Sequence, residues 1–128
     1  MTEPEFDKTD NTGIRHLLNA TRFSLQGLKT AFMNESAFRQ ELAALVIVLP
    51  TGVWFADSLG WAVALISACL LVLLVELLNS GIEAAVDRIG AEYHELAGNA
   101  KDFGSAAVML SMVIAGTVWL CILFKALS

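Results

Sequence analysis

Glu76, Asn79, Glu83 and Asp87 follow one another at intervals of 3, 4 and 4 residues, the spacing that stacks side chains on one face of an α-helix. Three carboxylates and a carboxamide on a single stripe form a set of hard oxygen donors. Such donors suit magnesium, which shares its shell with substrate phosphates and water. Glu83 and Asn79, joined by Glu35 from an earlier helix, would supply a partial shell of this kind. Glu76 lies two turns from Glu83 toward an uncharged run, and a carboxylate poorly hydrated there is suited to accept a proton from a hydroxyl. A base at lipid depth beside a cation at headgroup depth fits phosphoryl transfer to a lipid alcohol. The same residues also admit a structural reading, in which the acids pair with Arg39, Arg88 or Lys101 and fix helix register. Spacing does not choose a reaction.

The elements that must carry this stripe are written in the hydropathy. Hydrophobic residues make up 56% of the 128 and charged ones 16%, against roughly 45 to 50% and about 25% in soluble domains. Three uncharged stretches hold the excess: Leu42 to Ala56, Ser58 to Val75, and Phe103 to Phe124. About 20 apolar residues cross a bilayer as a helix. The third stretch does so unaided, and the second does so by including Leu77, Leu78 and Ile82. The first contains Pro50 and must extend through Ala37 and Phe38, with a kink expected at the proline. The expected spans are 35–56, 58–89 and 100–126, within a single domain over 13–128. Trp54 and Trp61 flank the short polar turn at Asp57 and Ser58, as an interfacial aromatic belt does. The stripe emerges directly from the second span, and ionisable groups at such depth face a bundle interior or a wet cavity.

Ahead of the spans, residues 1–12 are polar and acidic and are expected to be disordered, with Asn11 or Thr12 able to cap a helix that begins just after them. Over 13–33, Ile14, Leu17, Leu18, Leu25, Leu28 and Phe32 repeat on one face, opposite Arg15, Asn19, Arg22, Gln26 and Lys29. That is the layout of an amphipathic helix lying in the membrane interface. An ordinary amphipathic helix on a soluble core is the alternative. No charged-then-apolar signal layout precedes it.

With the amino terminus on the inner side, three spans place Lys8, Arg15, Arg22, Lys29, Arg39, Arg88 and Lys101 inside and only Lys125 outside. This bias sets orientation and directs the acid-rich end of the second span, with its loop, toward the cytoplasm. Gly90 is the expected helix terminator, succeeded by a loop from Ala91 to Ala100 in which His94 reads as a solvated side chain or a lone base. Ala107, Ser111 and Ala115, four residues apart, permit close helix contact in lipid, and so slight a bundle is expected to oligomerise. Cys69 and Cys121 fall in apolar spans without metal-ligand spacing and read as buried thiols. The net charge of −5 gives no reason to expect a nucleic-acid partner. No G-x-x-x-x-G-K loop or protein-kinase motif set is present, so nucleotide binding would need another scaffold.

The run Glu76-Leu-Leu-Asn79-Ser80-Gly81-Ile82-Glu83-Ala-Ala-Val86-Asp87 closely resembles the signature of the bacterial membrane-integral diacylglycerol kinases. The likeness continues through GAEYHELAGNAKDFGSAAV and, upstream, GLKTAFMNESAFRQEL, covering about Gly13 to Ala115. It implies an all-α, three-span inner-membrane protein with an N-terminal interfacial helix, assembled as a homotrimer with shared active sites. It further implies conversion of ATP and 1,2-diacylglycerol to ADP and phosphatidic acid, with magnesium required. By the same resemblance Glu76 is the general base and Glu35 and Glu83 are metal ligands. Asn79 supports metal and phosphate geometry. Nucleotide contacts would come from Glu35, Asn79, Glu83, Asp87, Lys101 and Asp102, with Tyr93, His94 and Glu95 in the loop near the base and Arg15 on the first helix. Arg39, Glu41, Glu76 and Lys101 would meet the lipid substrate. The first helix departs from the familiar pattern, having His16 after Arg15, and Asn19 and Phe23 where lysine and tyrosine are usual. The loop EYHELAG is more similar to the Gram-negative branch than to the undecaprenol kinases. An undecaprenol kinase is the rival within the enzyme class. A small proton-coupled transporter is the rival outside it, although no inverted repeat is visible.

Overall fold

A computed structural model describes residues 12–90, 92 and 94–128, and among these every regular element is helical. The expectation of disorder over 1–12 falls, apart from Thr12, outside the described residues. Four helices run in order: α1 Gly13–Asn34, α2 Ser36–Phe55, α3 Leu59–Ile89 and α4 Glu95–Leu127. The chain divides into two compact units, Met1–Asn34 and Glu35–Ser128.

Within the first unit, α1 starts at Gly13, whose φ of 62° is a left-handed conformation that glycine adopts at little cost. Ile14, Leu17, Leu18, Leu25, Leu28 and Phe32 are all exposed along it. Thr21 and Thr30 turn their hydroxyls back onto the carbonyls of Leu17 and Gln26, each at 2.9 Å.

The second unit is a bundle of α2, α3 and α4, the three helices long and apolar enough to cross a membrane. The 20 residues of α2 span about 30 Å, which matches the hydrocarbon core. The 31 of α3 and 33 of α4 reach about 46 and 50 Å, so both must run on beyond it. Packing is most extensive between α3 and α4, then between α2 and α3, and least between α2 and α4.

Pro50 removes one helical N–H from α2, yet the helix continues to Phe55. Neighbouring carbonyls are served from elsewhere: Thr51 Oγ1 donates to the Ile47 carbonyl at 2.6 Å, and Trp119 Nε1 of α4 donates to that of Val48 at 3.2 Å. Side-chain donors of this sort are what allow proline inside a membrane helix. Gly52 makes the approach of α3 and α4 possible, since a Cβ there would run into the Leu65 side chain and the Trp119 ring. Ser58 then caps α3, its Oγ accepting the Trp61 N–H at 3.3 Å.

Leu65, Cys69 and Ile122 are the fully buried apolar centre, with Leu45, Leu49, Trp61, Val118 and Trp119 packed around it. The Lys125–Asp57 ion pair, 2.9 Å, closes that end of the bundle. Elsewhere the usual distribution is reversed. Leu70, Leu110, Leu120 and Phe124 are exposed, whereas Glu76, Asn79 and Ser111 are buried. Polar residues inside and large apolar ones outside is the arrangement that lipid selects.

The hairpin between α3 and α4 is shorter than the expected loop. Gly90 does end α3, its N–H bonding to the Val86 carbonyl, but α4 begins at Glu95 because His94 caps it. The His94 Nδ1 accepts the Leu96 N–H at 3.1 Å, satisfying one of the donors a helix start leaves open. Glu95 to Ala100 are therefore helical. Of the small residues expected at helix contacts, Ser111 is buried and Ala115 half-buried, while Ala107 is exposed. Cys69 is buried as expected, but Cys121 is exposed, since its side of α4 lies away from the bundle centre.

Candidate active site

Burial along the stripe is graded. Glu76 is 5% exposed and Asn79 8%, Glu83 is half-buried, and Asp87 is exposed. The stripe turns inward where α3 is flanked by both α2 and α4, and its outer end, Asp87, pairs with Lys101 of α4. Its inner three residues open onto a cleft of about 560 Å³. From α2 come Gln40 and Glu41, with Glu35 just before the helix start, and from α4 come Ser105, Val108 and Met112.

Glu35 occupies the N-cap position of α2 in an extended conformation, and its side chain makes no capping hydrogen bond. Its carboxylate is thus left to the cleft. Asn79 Nδ2 donates to Glu83 Oε1 at 3.4 Å, across one helical turn. Glu41 of α2 and Glu76 of α3 line this cleft together. Two buried oxygens here, Glu41 Oε2 and Asn79 Oδ1, have no hydrogen-bond partner among the described residues. Buried polar atoms are nearly always paired, and an orphan in a cleft is a place for a ligand to bind. Among the described residues, four that line the cleft are glutamates and none is cationic. A cleft so lined is suited to receive positive charge, or a proton.

Among the described residues no three of His, Cys, Asp or Glu gather into a self-sufficient metal centre. The donors present nevertheless fit magnesium. They are the carboxylate oxygens of Glu35 and Glu83, and such a partial shell needs phosphates and water to complete it.

The structure brings Glu35, Glu41, Glu76, Asn79 and Glu83 into one cleft. The other expected site residues on α2, α3 and α4 are outside its lining. Asp87 is held by Lys101, Nζ to Oδ1 2.6 Å, further out along the α3–α4 hairpin. Asp102 and Glu95 are exposed on α4, Arg39 is exposed on α2, and Arg15 is exposed on α1. His94 lines a second cavity, about 830 Å³, with Val86, Ile89, Gly90 and Glu92 at the hairpin turn. Tyr93 lies outside the described residues. The cleft also contains Ser105 and Met112, which lie off the Ala107, Ser111 and Ala115 stripe that spacing singles out on α4.

A family model described as prokaryotic diacylglycerol kinase matches residues 22–123. The chain belongs to the prokaryotic diacylglycerol kinase family. Among the family's members it is similar to the diacylglycerol kinase of Haemophilus influenzae, 50% identical over 113 residues that cover 88% of this chain and 96% of the relative. That of Escherichia coli K12 is 47% identical over 114 residues, 89% and 93% of the two chains. That of Pseudomonas aeruginosa is 46% identical over 112 residues, 88% and 91%. Glu35, Glu41, Glu76, Asn79 and Glu83 all lie inside the stretch that the family model spans.

Proposed function

We propose that the chain is a diacylglycerol kinase that transfers the γ-phosphoryl group of ATP to 1,2-diacylglycerol, giving phosphatidic acid and ADP. The observation that carries this reading is the burial of Glu76 in a cleft that also holds Glu35, Asn79 and Glu83, in a chain of this family.

The lipid's free hydroxyl is directed at Glu76 from within the membrane, with Glu41 beside it orienting the glycerol backbone. As the hydroxyl oxygen forms its bond to the γ-phosphorus, its proton passes to the Glu76 carboxylate. The bond from the γ-phosphorus to the β–γ bridging oxygen breaks, and its electron pair leaves with ADP. Glu35 and Glu83 would hold magnesium, which when bound neutralises phosphate charge, and the Asn79 N–H orients the Glu83 carboxylate. Lys101 serves the phosphates from the hairpin, exchanging Asp87 for them. Asp102, Glu95, Tyr93 and His94 stand toward the nucleoside end, and Arg15 and Arg39 are further contacts to nucleotide and lipid. Among the described residues the cleft's own lining carries no cation, so the positive groups that meet a triphosphate are taken from beside it. In the homotrimer that the family resemblance implies, neighbours could add to these groups.

The bias of seven lysines and arginines against Lys125 supports an inner-membrane orientation with α1 and the α3–α4 hairpin in the cytoplasm. Initial rates of purified protein in lipid vesicles, with ATP and either diacylglycerol or undecaprenol, test the assignment. Faster turnover of diacylglycerol is expected. Preference for the polyprenol would reassign the substrate, and turnover of neither would remove the kinase reading.

A further inference from the structure

Three glycines interrupt α4: Gly98, Gly104 and Gly116. Glycine is a poor helix former compared with alanine, so each such position calls for a reason. At Gly98 and Gly116 an added Cβ would meet nothing within 4 Å. Gly104 is different. It is buried, and a Cβ built on it would fall on the Oδ1 of Asn79 and stand only 3.2 Å from that residue's Cγ.

Asn79 is fixed at both ends of its carboxamide. One end donates through Nδ2 to Glu83 Oε1. The other presents Oδ1, without a hydrogen-bond partner, to the bare backbone of α4 at Gly104. The amide plane is rigid, and only its NH₂ end can face an ionised carboxylate. A methyl group on residue 104 would therefore have to push the whole amide, and push it away from the geometry that serves Glu83. Rotating Asn79 the other way would aim Oδ1 at the Glu83 carboxylate, oxygen to oxygen.

We propose that Gly104 is a positioning residue of the active site: its missing side chain seats the Asn79 carboxamide against α4 and so holds the Asn79 N–H on Glu83. The inference rests on the reading of Asn79 and Glu83 as active-site residues. It adds that α4, through a position that carries no side chain, sets the position of donors on α3. The helix pair with the most extensive packing in the bundle thus carries the accuracy of the site.

The test compares the parent with Gly104→Ala, Asn79→Ala, the double variant, and Gly98→Ala as the control for a glycine replaced on the same helix. Initial rates with ATP and diacylglycerol are one readout. Binding of Mn²⁺, followed by electron paramagnetic resonance in the presence of a non-hydrolysable ATP analogue, is the second. Gly104→Ala is expected to lower the rate and weaken Mn²⁺ binding, each by about tenfold or more, and the double variant to be no worse than Asn79→Ala alone. Gly98→Ala should match the parent. Parental rate and Mn²⁺ affinity in Gly104→Ala would overturn the proposal, as would losses that multiply in the double variant, since Gly104 would then act on something other than Asn79. If Gly104→Ala does not fold, a folded double variant with the Asn79→Ala rate supports the contact, and an unfolded double variant refutes it. A parental rate in Asn79→Ala would instead remove Asn79 from the active site, and Gly104's role with it.

Discussion

Lys101 Nζ sits 2.6 Å from Asp87 Oδ1, joining the outer end of α3 to the second turn of α4. Both side chains are substantially in solvent, 42% and 66% exposed, where screening makes an ion pair weak. A weakly held ammonium group at the hairpin is readily transferred to a phosphate. Lys101→Met is accordingly expected to raise KM for ATP by about tenfold or more while leaving thermal stability near that of the parent. Exchanging the two charges, Asp87→Lys with Lys101→Asp, keeps a pair across the hairpin and should not restore KM. Parental KM in the exchanged protein would show the pair to be purely structural.

Glu83 receives the Asn79 N–H and shares the cleft with Glu35. Glu83→Gln keeps the shape and removes the charge. The magnesium concentration for half-maximal rate should rise by about tenfold or more, as expected when a ligand of a hard cation becomes neutral. A magnesium titration that overlays the parent's would exclude Glu83 as a ligand.

His94 is the cap of α4 as well as a lining residue of the hairpin cavity. His94→Ala should cost about 0.5–2 kcal/mol of local helix stability, and His94→Asn should restore most of it, because asparagine also accepts from the helix start. Hydrogen exchange at the Leu96 amide reads this directly. If the imidazole also contacts nucleotide, KM for ATP stays raised in His94→Asn even though protection returns.

At the opposite end of the bundle, Trp119 fills the space above Gly52 and donates to the Val48 carbonyl beside Pro50. Gly52→Ala overpacks this junction and should destabilise by about 1–3 kcal/mol. Trp119→Phe removes one hydrogen bond and should cost about 1 kcal/mol. Unfolding in mixed detergent measures both, and equal stability of Gly52→Ala and parent would show that the junction can relax.

The three spans and the inward face of α3 are legible in the sequence because both arise from periodicity: long uncharged runs, and polar residues at 3 and 4 within one of them. Glu76 and Asn79 are buried for that reason. Asp87 obeys the same spacing yet lies outside the cleft, since a stripe fixes a face but not where the neighbouring helices end. The start of α4 is not legible, because His94 supplies a cap from a side chain seldom found there. Pro50 reads as a kink in α2, and the side-chain donors to the carbonyls beside it come from Thr51 and, 69 residues later in the chain, from Trp119. Gly104 is one glycine among nine, and its meaning appears only once Asn79 stands opposite.

The account turns on Glu76 taking the proton of a lipid hydroxyl. Glu76→Gln is nearly isosteric, so the cleft should remain and ATP binding should persist. The initial rate of diacylglycerol phosphorylation, measured beside ATP affinity in the same vesicles, is the direct test. A loss of about a hundredfold or more in rate at unchanged ATP affinity is predicted. A rate within a few-fold of the parent would contradict the assignment.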